Sequence, residues 1–267
     1  DTRRPLYFLL FAGAVNVVLN LVFVIVFSMG VAGVATATVV SECISAVLIV
    51  QCLARSDSAY RLCREKMRIT ESKVKQIMKI GLPAGFQGAI FSVSNVLIQS
   101  SINSFGSIAM AGSTASANVE GFVYNAMNAV YQTTLSFTSQ NYGAGKMDRV
   151  TKILLDCLGL VVLVGVVMGG GAVLLGPKLL QIYSSDPEVI SYGMMRMRII
   201  NGSYFLCGIM DLFPGALRGM GYSMVPMILS VIGTVGTRIV WIYGLFPTHR
   251  SLYFLFISYP ASWTATI

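Results

Sequence analysis

The chain has 267 residues, 55% of them hydrophobic and 11% charged, with a net charge of +8. A soluble domain of this length carries about a quarter charged residues, so the composition excludes a water-soluble globule. The basic balance is not read as nucleic-acid binding, because no recognised motif accompanies it. It is read as loop charge facing anionic lipid headgroups.

Eight apolar segments follow in order: Leu6–Phe27, Val31–Leu53, Ile77–Ile102, Ser113–Phe137, Ile153–Leu175, Ile190–Phe213, Met224–Phe246 and Leu252–Ile267. Most have roughly twenty residues or more, enough at about 1.5 Å per residue to cross about 30 Å of hydrocarbon. Lys and Arg gather in alternate connections. One set holds Arg3 and Arg4, then Arg55 to Lys79, then Lys146, Arg149 and Lys152, then Arg218; the other holds Lys178 and Arg250. That asymmetry predicts cytoplasmic placement of the first set. The fold class is therefore all-α, a polytopic membrane bundle of about eight transmembrane helices. The five cysteines lie in apolar segments or on the basic side, without metal-ligand spacing, which argues against a disulfide framework or a metal site. The chain starts at Asp1 and stops short within an apolar segment, as expected for a piece of a longer protein.

The longest polar stretch divides the chain into residues 1–54, a basic cytoplasmic linker at 55–76, and residues 77–267. Thr70 or Ser72 can cap a short interfacial helix in that linker, ahead of membrane entry at Pro83. Ser184-Ser185-Asp186-Pro187 is a helix-start signal. Leu6–Phe27 and Met224–Phe246 share a proline near the start and a glycine (Gly13, Gly233) at similar spacing, which predicts a parallel internal repeat.

Polar side chains inside membrane segments mark a candidate pathway. Gln87, Asn95 and Gln99 recur at multiples of four on the third segment and form a stripe. On the fourth, Glu120 shares a face with Tyr124, Met127, Tyr131 and Thr134, while Asn118, Asn125, Gln132 and Ser136 lie opposite. A carboxylate among aromatic rings and a thioether suits a bulky organic cation. The alternative is structural, with Glu120 neutralising an arginine; Arg238 comes out at similar depth and is the expected partner. Asp211 either pairs with Arg218 or titrates as a coupling group. Enzyme motifs are absent, and Gly143-Ala144-Gly145 is a reversal between helices, not a nucleotide loop.

Several connections resemble those of the MATE (multidrug and toxic compound extrusion) transporters. Gln140-Asn141-Tyr142-Gly143-Ala144-Gly145-Lys146 with Arg149 resembles the loop after their eighth helix. Ile80-Gly81-Leu82-Pro83-Ala84-Gly85 resembles the start of the seventh, and Leu217-Arg218-Gly219-Met220-Gly221-Tyr222 the loop after the tenth. The resemblance implies helices five to twelve of a two-lobe, twelve-helix transporter. It implies a secondary active exporter exchanging amphipathic organic cations, drugs or toxins, for protons or sodium ions by alternating access. No cofactor beyond that coupling ion, no nucleic-acid partner, a monomer among membrane lipids, and a bacterial plasma (inner) membrane location are expected with it. The chain departs from one branch, having no carboxylate in Ile77–Ile102 and Asp211 about one turn nearer the Leu-Arg-Gly run. A lipid-linked oligosaccharide flippase of the same superfamily is the alternative, and would line its cavity with several Arg and Lys.

Overall fold

A computed structural model describes residues 3–56, 61–63 and 68–267, without the side chain of residue 3. The chain divides into two compact units, residues 1–71 and 72–267. Among the described residues there is helix and turn but no strand.

The first unit is a hairpin of α1 (Arg3–Leu21), extended by a π turn at Val22–Val26, and α2 (Gly30–Ala54). Its seam on α2 is a row of small residues at every fourth position, Gly33, Ala37, Ser41 and Ser45, all buried. Small side chains let helix backbones approach where lipid supplies no hydrophobic drive. The long apolar side chains, among them Leu9, Leu10, Val17, Val18 and Val39, point outward, as lipid-facing residues should. Asn16 donates to Ser41 Oγ at 3.0 Å and ties the hairpin midway.

The second unit holds α3 (Glu71–Asn103), α4 (Ser107–Gly143), α5 (Met147–Gln181), α6 (Pro187–Ile200), α7 (Tyr204–Gly219), α8 (Met224–Ser230), α9 (Thr237–Val240) and α10 (Leu252–Thr266). A 3-10 turn at Asn201–Ser203 joins α6 to α7, and π turns at Val231–Gly236 and Trp241–Leu245 flank α9. The rods are longer than their apolar stretches. At 37 residues, α4 runs about 55 Å.

Five helical rods are long and apolar enough to span a bilayer by composition, and α4 is not among them. Its place explains why. Val119, Val123, Met127, Val130, Thr134 and Thr138 are buried against α5, α6 and α7. A helix surrounded by helices need not be greasy on every face.

Among the described residues, no separate helix stands between α2 and α3. Residues 57–60 and 64–67 of the linker lie outside the described residues, and α3 runs unbroken from Glu71 through Pro83. Ile190–Phe213, read as one span, is broken instead at Asn201–Ser203. The break fits against α5: a Cβ on Gly165 would meet Phe205 Cα at 2.7 Å, and one on Gly169 would meet the Asn201 carbonyl at 2.5 Å.

The start signal before α6 behaves as its chemistry predicts. Asp186 accepts from the Glu188 amide at 2.8 Å, with Pro187 in the first turn. Asp186→Ala is expected to cost about 1 kcal/mol, read as a lower melting temperature of the purified protein.

The hairpin of the first unit and the α8–α10 hairpin repeat one device. Both leading rods end in a π turn, Val22–Val26 and Trp241–Leu245. In each, a polar side chain donates to a serine of the following helix: Asn16 to Ser41 at 3.0 Å, and Arg238 to Ser262 at 3.2 Å. Each serine in turn donates to the carbonyl three residues back, of Thr38 and of Tyr259. The two hairpins thus share one hydrogen-bonding pattern.

Candidate functional site

A cavity of about 650 Å³ in the second unit is bounded by α3, α4, α6, α7, α9 and α10. Eight of the nine sequence candidates line it: Gln87, Asn95, Gln99, Glu120, Tyr124, Tyr131, Asp211 and Arg238. The ninth, Met127, does not. It shares the Glu120 face of α4 but is 4% exposed and packed in the core. Gly208 of α7 admits it, since a Cβ there would stand 3.1 Å from the Met127 sulfur.

Arg238 is not the partner of Glu120. Arg196 is: its Nε and Nη2 donate to the two carboxylate oxygens at 2.8 and 2.9 Å, and its Nη1 donates to Ser113 at 2.8 Å. Ser116 donates to the same carboxylate at 2.9 Å. Both charged side chains are 8% exposed. A bidentate pair with every guanidinium face committed is a structural clamp between α4 and α6. It removes the free carboxylate on which attraction of an organic cation rested.

Arg238 is held differently. Its Nε donates to Ser262 at 3.2 Å and its Nη1 to Asn95 at 3.0 Å. Its guanidinium carbon lies 4.7 Å from the centre of the Tyr259 ring, and that of Arg196 lies 5.6 Å from the same ring. Tyr259 is therefore in contact with both cations. Arg218 donates to Tyr131 Oη at 2.9 Å and to Gln87 Oε1 at 2.6 Å, and its Nε is buried without a partner. Asp211 lines the cavity but makes no ion pair within 4 Å with Arg218, whose donors go elsewhere.

Tyr259, Trp263, Tyr204, Asn128 and Phe91 complete the polar and aromatic wall and were missed as site residues. Tyr259 and Trp263 sit four apart on α10, a spacing that puts them on one face. Tyr204 meets Trp263 edge-on at 5.6 Å. The signal was present in the sequence, but aromatic pairs at helical spacing are ordinary in membrane helices.

α3 forms one side of the cavity and is fastened across it by polar bridges. Gln87 meets Arg218, Asn95 meets Arg238, and Ser223 donates to the Ile80 carbonyl at 2.8 Å. Only near its far end do Ile98 and Ile102 pack fully into the core.

The family model MatE matches residues 83–243, more than half of the chain. The chain is 24% identical over 245 residues to the probable multidrug resistance protein NorM of Thermotoga maritima, covering 90% of this chain and 52% of that protein. It is 26% identical over 232 residues to the probable multidrug resistance protein YpnP of Bacillus subtilis, covering 87% and 52%. It spans about half the length of these curated relatives. A crystal structure of a MATE protein in the straight conformation superposes with a TM-score of 0.85 at 17% identity, covering 96% of this chain and 58% of that one. The likeness in fold extends through both units taken in chain order, and the sequence match lies across the helices that build the cavity. On that match the chain belongs to the MatE family of integral membrane transporters.

Proposed function

We propose that the chain supplies the last two helices of one lobe and most of the other lobe of a secondary active multidrug exporter. It exchanges amphipathic compounds outward for protons or sodium ions by alternating access, as a monomer in a bacterial plasma membrane. The observation that carries the reading is Asp211. It is a carboxylate within the membrane-spanning part of α7, facing a cavity, with no hydrogen-bond partner among the described residues. An intramembrane carboxylate of that kind is costly to keep unless it takes and releases a cation. The Glu120–Arg196 clamp withdraws support from the organic-cation cargo that the sequence pointed to, and leaves Asp211 as the coupling group.

A lipid-linked flippase would present several unpaired cations. No lysine lines this cavity, and Arg196 is already neutralised. The geometry favours the exporter.

The test uses the complete gene product in proteoliposomes under an imposed proton or sodium gradient. Norfloxacin movement should follow one of the gradients. Asp211→Asn should fall to the level of empty vesicles while protein yield stays near that of the parent. Gradient-driven export by Asp211→Asn at the parental rate would remove the coupling role.

A further inference from the structure

We propose that the wall around Arg238 recognises an anionic group, a carboxylate or phosphate ester carried on an aromatic body. This deepens the exporter reading, on which it rests, by naming the class of cargo.

The cavity holds three arginines and two carboxylates. Arg196 is cancelled by Glu120 in a bidentate pair. Arg218 shares α7 with Asp211, which stands seven residues before it, and gives its hydrogen bonds to Tyr131 and Gln87. Arg238 is the charge left over. It is 4% exposed, and its described partners are neutral: the Ser262 hydroxyl, the Asn95 amide oxygen and the Tyr259 ring. Among the described residues its hydrogen bonds leave from Nε and Nη1, and the side chain lines the cavity. A buried guanidinium without an anion is costly, and an Arg presents its donors in a fork that fits carboxylate or phosphate oxygens.

The surroundings point the same way. Ser262 and Asn95 hold two donors of the guanidinium, and Tyr259 packs on its face, so the guanidinium is aimed before any ligand arrives. The turn that carries Arg238 lies between two π turns, Val231–Gly236 and Trp241–Leu245. Such turns occur mostly as single-turn bulges inside α-helices, frequently at functional sites. Tyr259 packs on the charge, and Trp263, Tyr204 and Phe91 line the same cavity. A wall of rings with one aimed cation suits a flat body bearing one negative head group. A lone organic cation placed there would face Arg238 without a free carboxylate at that level.

The experiment measures equilibrium binding to the complete gene product in lipid nanodiscs, by calorimetry and with no ion gradient. Three ligands share one ring system: 1-naphthoate, 1-naphthyl phosphate and 1-naphthylmethylammonium. At least one anion should bind about tenfold or more tightly than the ammonium. Binding of naphthoate alone assigns a carboxylate, and of the phosphate alone a phosphate ester. Arg238→Met should raise the anion Kd about tenfold or more and leave the ammonium Kd unchanged or lower. Arg238→Lys, which keeps the charge without the fork, should fall between. Ammonium binding as tight as that of both anions would overturn the proposal, as would a folded Arg238→Met protein with an unchanged anion Kd. Should Arg238→Met fail to fold, the head-group comparison on the unsubstituted protein decides alone. Anion binding without gradient-driven export would sink the exporter reading and leave this one; export with a preference for the ammonium would do the reverse.

Discussion

Glu120→Gln is expected to destabilise the protein by about 3–5 kcal/mol, because it strands Arg196 as a buried charge without its counterion. The Gln amide can accept from one Arg196 donor but no longer cancels the charge. Arg196 is 6% exposed, and Ser113 offers it only a hydroxyl. The readout is the yield of monodisperse protein after detergent extraction, together with its melting temperature. The reciprocal change is the control. Glu120→Gln combined with Arg196→Met should recover most of the loss, since replacing a whole buried pair with groups of similar volume is often near neutral. Combining Glu120→Gln with Arg238→Met should recover nothing, because Arg238 bonds to Ser262 and Asn95. Recovery by Arg238→Met in place of Arg196→Met would show that the clamp has been assigned to the wrong helix.

The second large effect is expected at Gly169. A Cβ there would lie 2.5 Å from the Asn201 carbonyl oxygen, a backbone atom in the 3-10 turn that cannot swing aside like a flexible side chain. Gly169→Leu must push α5 away from the α6–α7 junction. Overpacking of that kind costs about 1–3 kcal/mol and occasionally more. The junction places Tyr204, Cys207 and Asp211, all cavity residues. Binding and export should therefore fall together with the melting temperature. Gly170→Leu, with nothing within 4 Å of its Cβ position, is the matched control and should cost little. Equal melting temperatures for the two would mean that α5 does not bear on the turn.

The helices were legible because a bilayer demands an unbroken apolar length, and that length is written directly in the chain. The cavity candidates were legible for a related reason. Polar residues are costly in such segments, so Gln87, Asn95, Gln99, Glu120 and Asp211 stood out against their neighbours. Charge pairing was not legible. Depth counted from the ends of the apolar stretches is offset, because α4 begins at Ser107 and α6 at Pro187, outside those stretches. A helical wheel assumes a uniform 3.6 residues per turn. A π turn holds an extra residue, so everything beyond Val231–Gly236 is rotated from where an ideal helix would put it. Glu120 is met by Arg196 of the neighbouring α6, and Arg238 by Asn95 and Ser262. Met127 failed for a simpler reason. A helical wheel says which face a residue is on, not what covers it, and Gly208 opposite it lets α7 close over that part of the face.

The seam beside α3 has a consequence for how a cargo that partitions into lipid could leave. Most boundaries in this bundle are interdigitated side chains, and parting them would open voids that nothing fills. The boundary along α3 is instead closed by Gln87 on Arg218, Asn95 on Arg238 and Ser223 on Ile80. Hydrogen bonds can be exchanged one for one with water or with the oxygens of a lipid phosphate, at small net cost. On the proposed exporter reading, a sideways exit between helices, reached from the bilayer, would have its lowest barrier along this line.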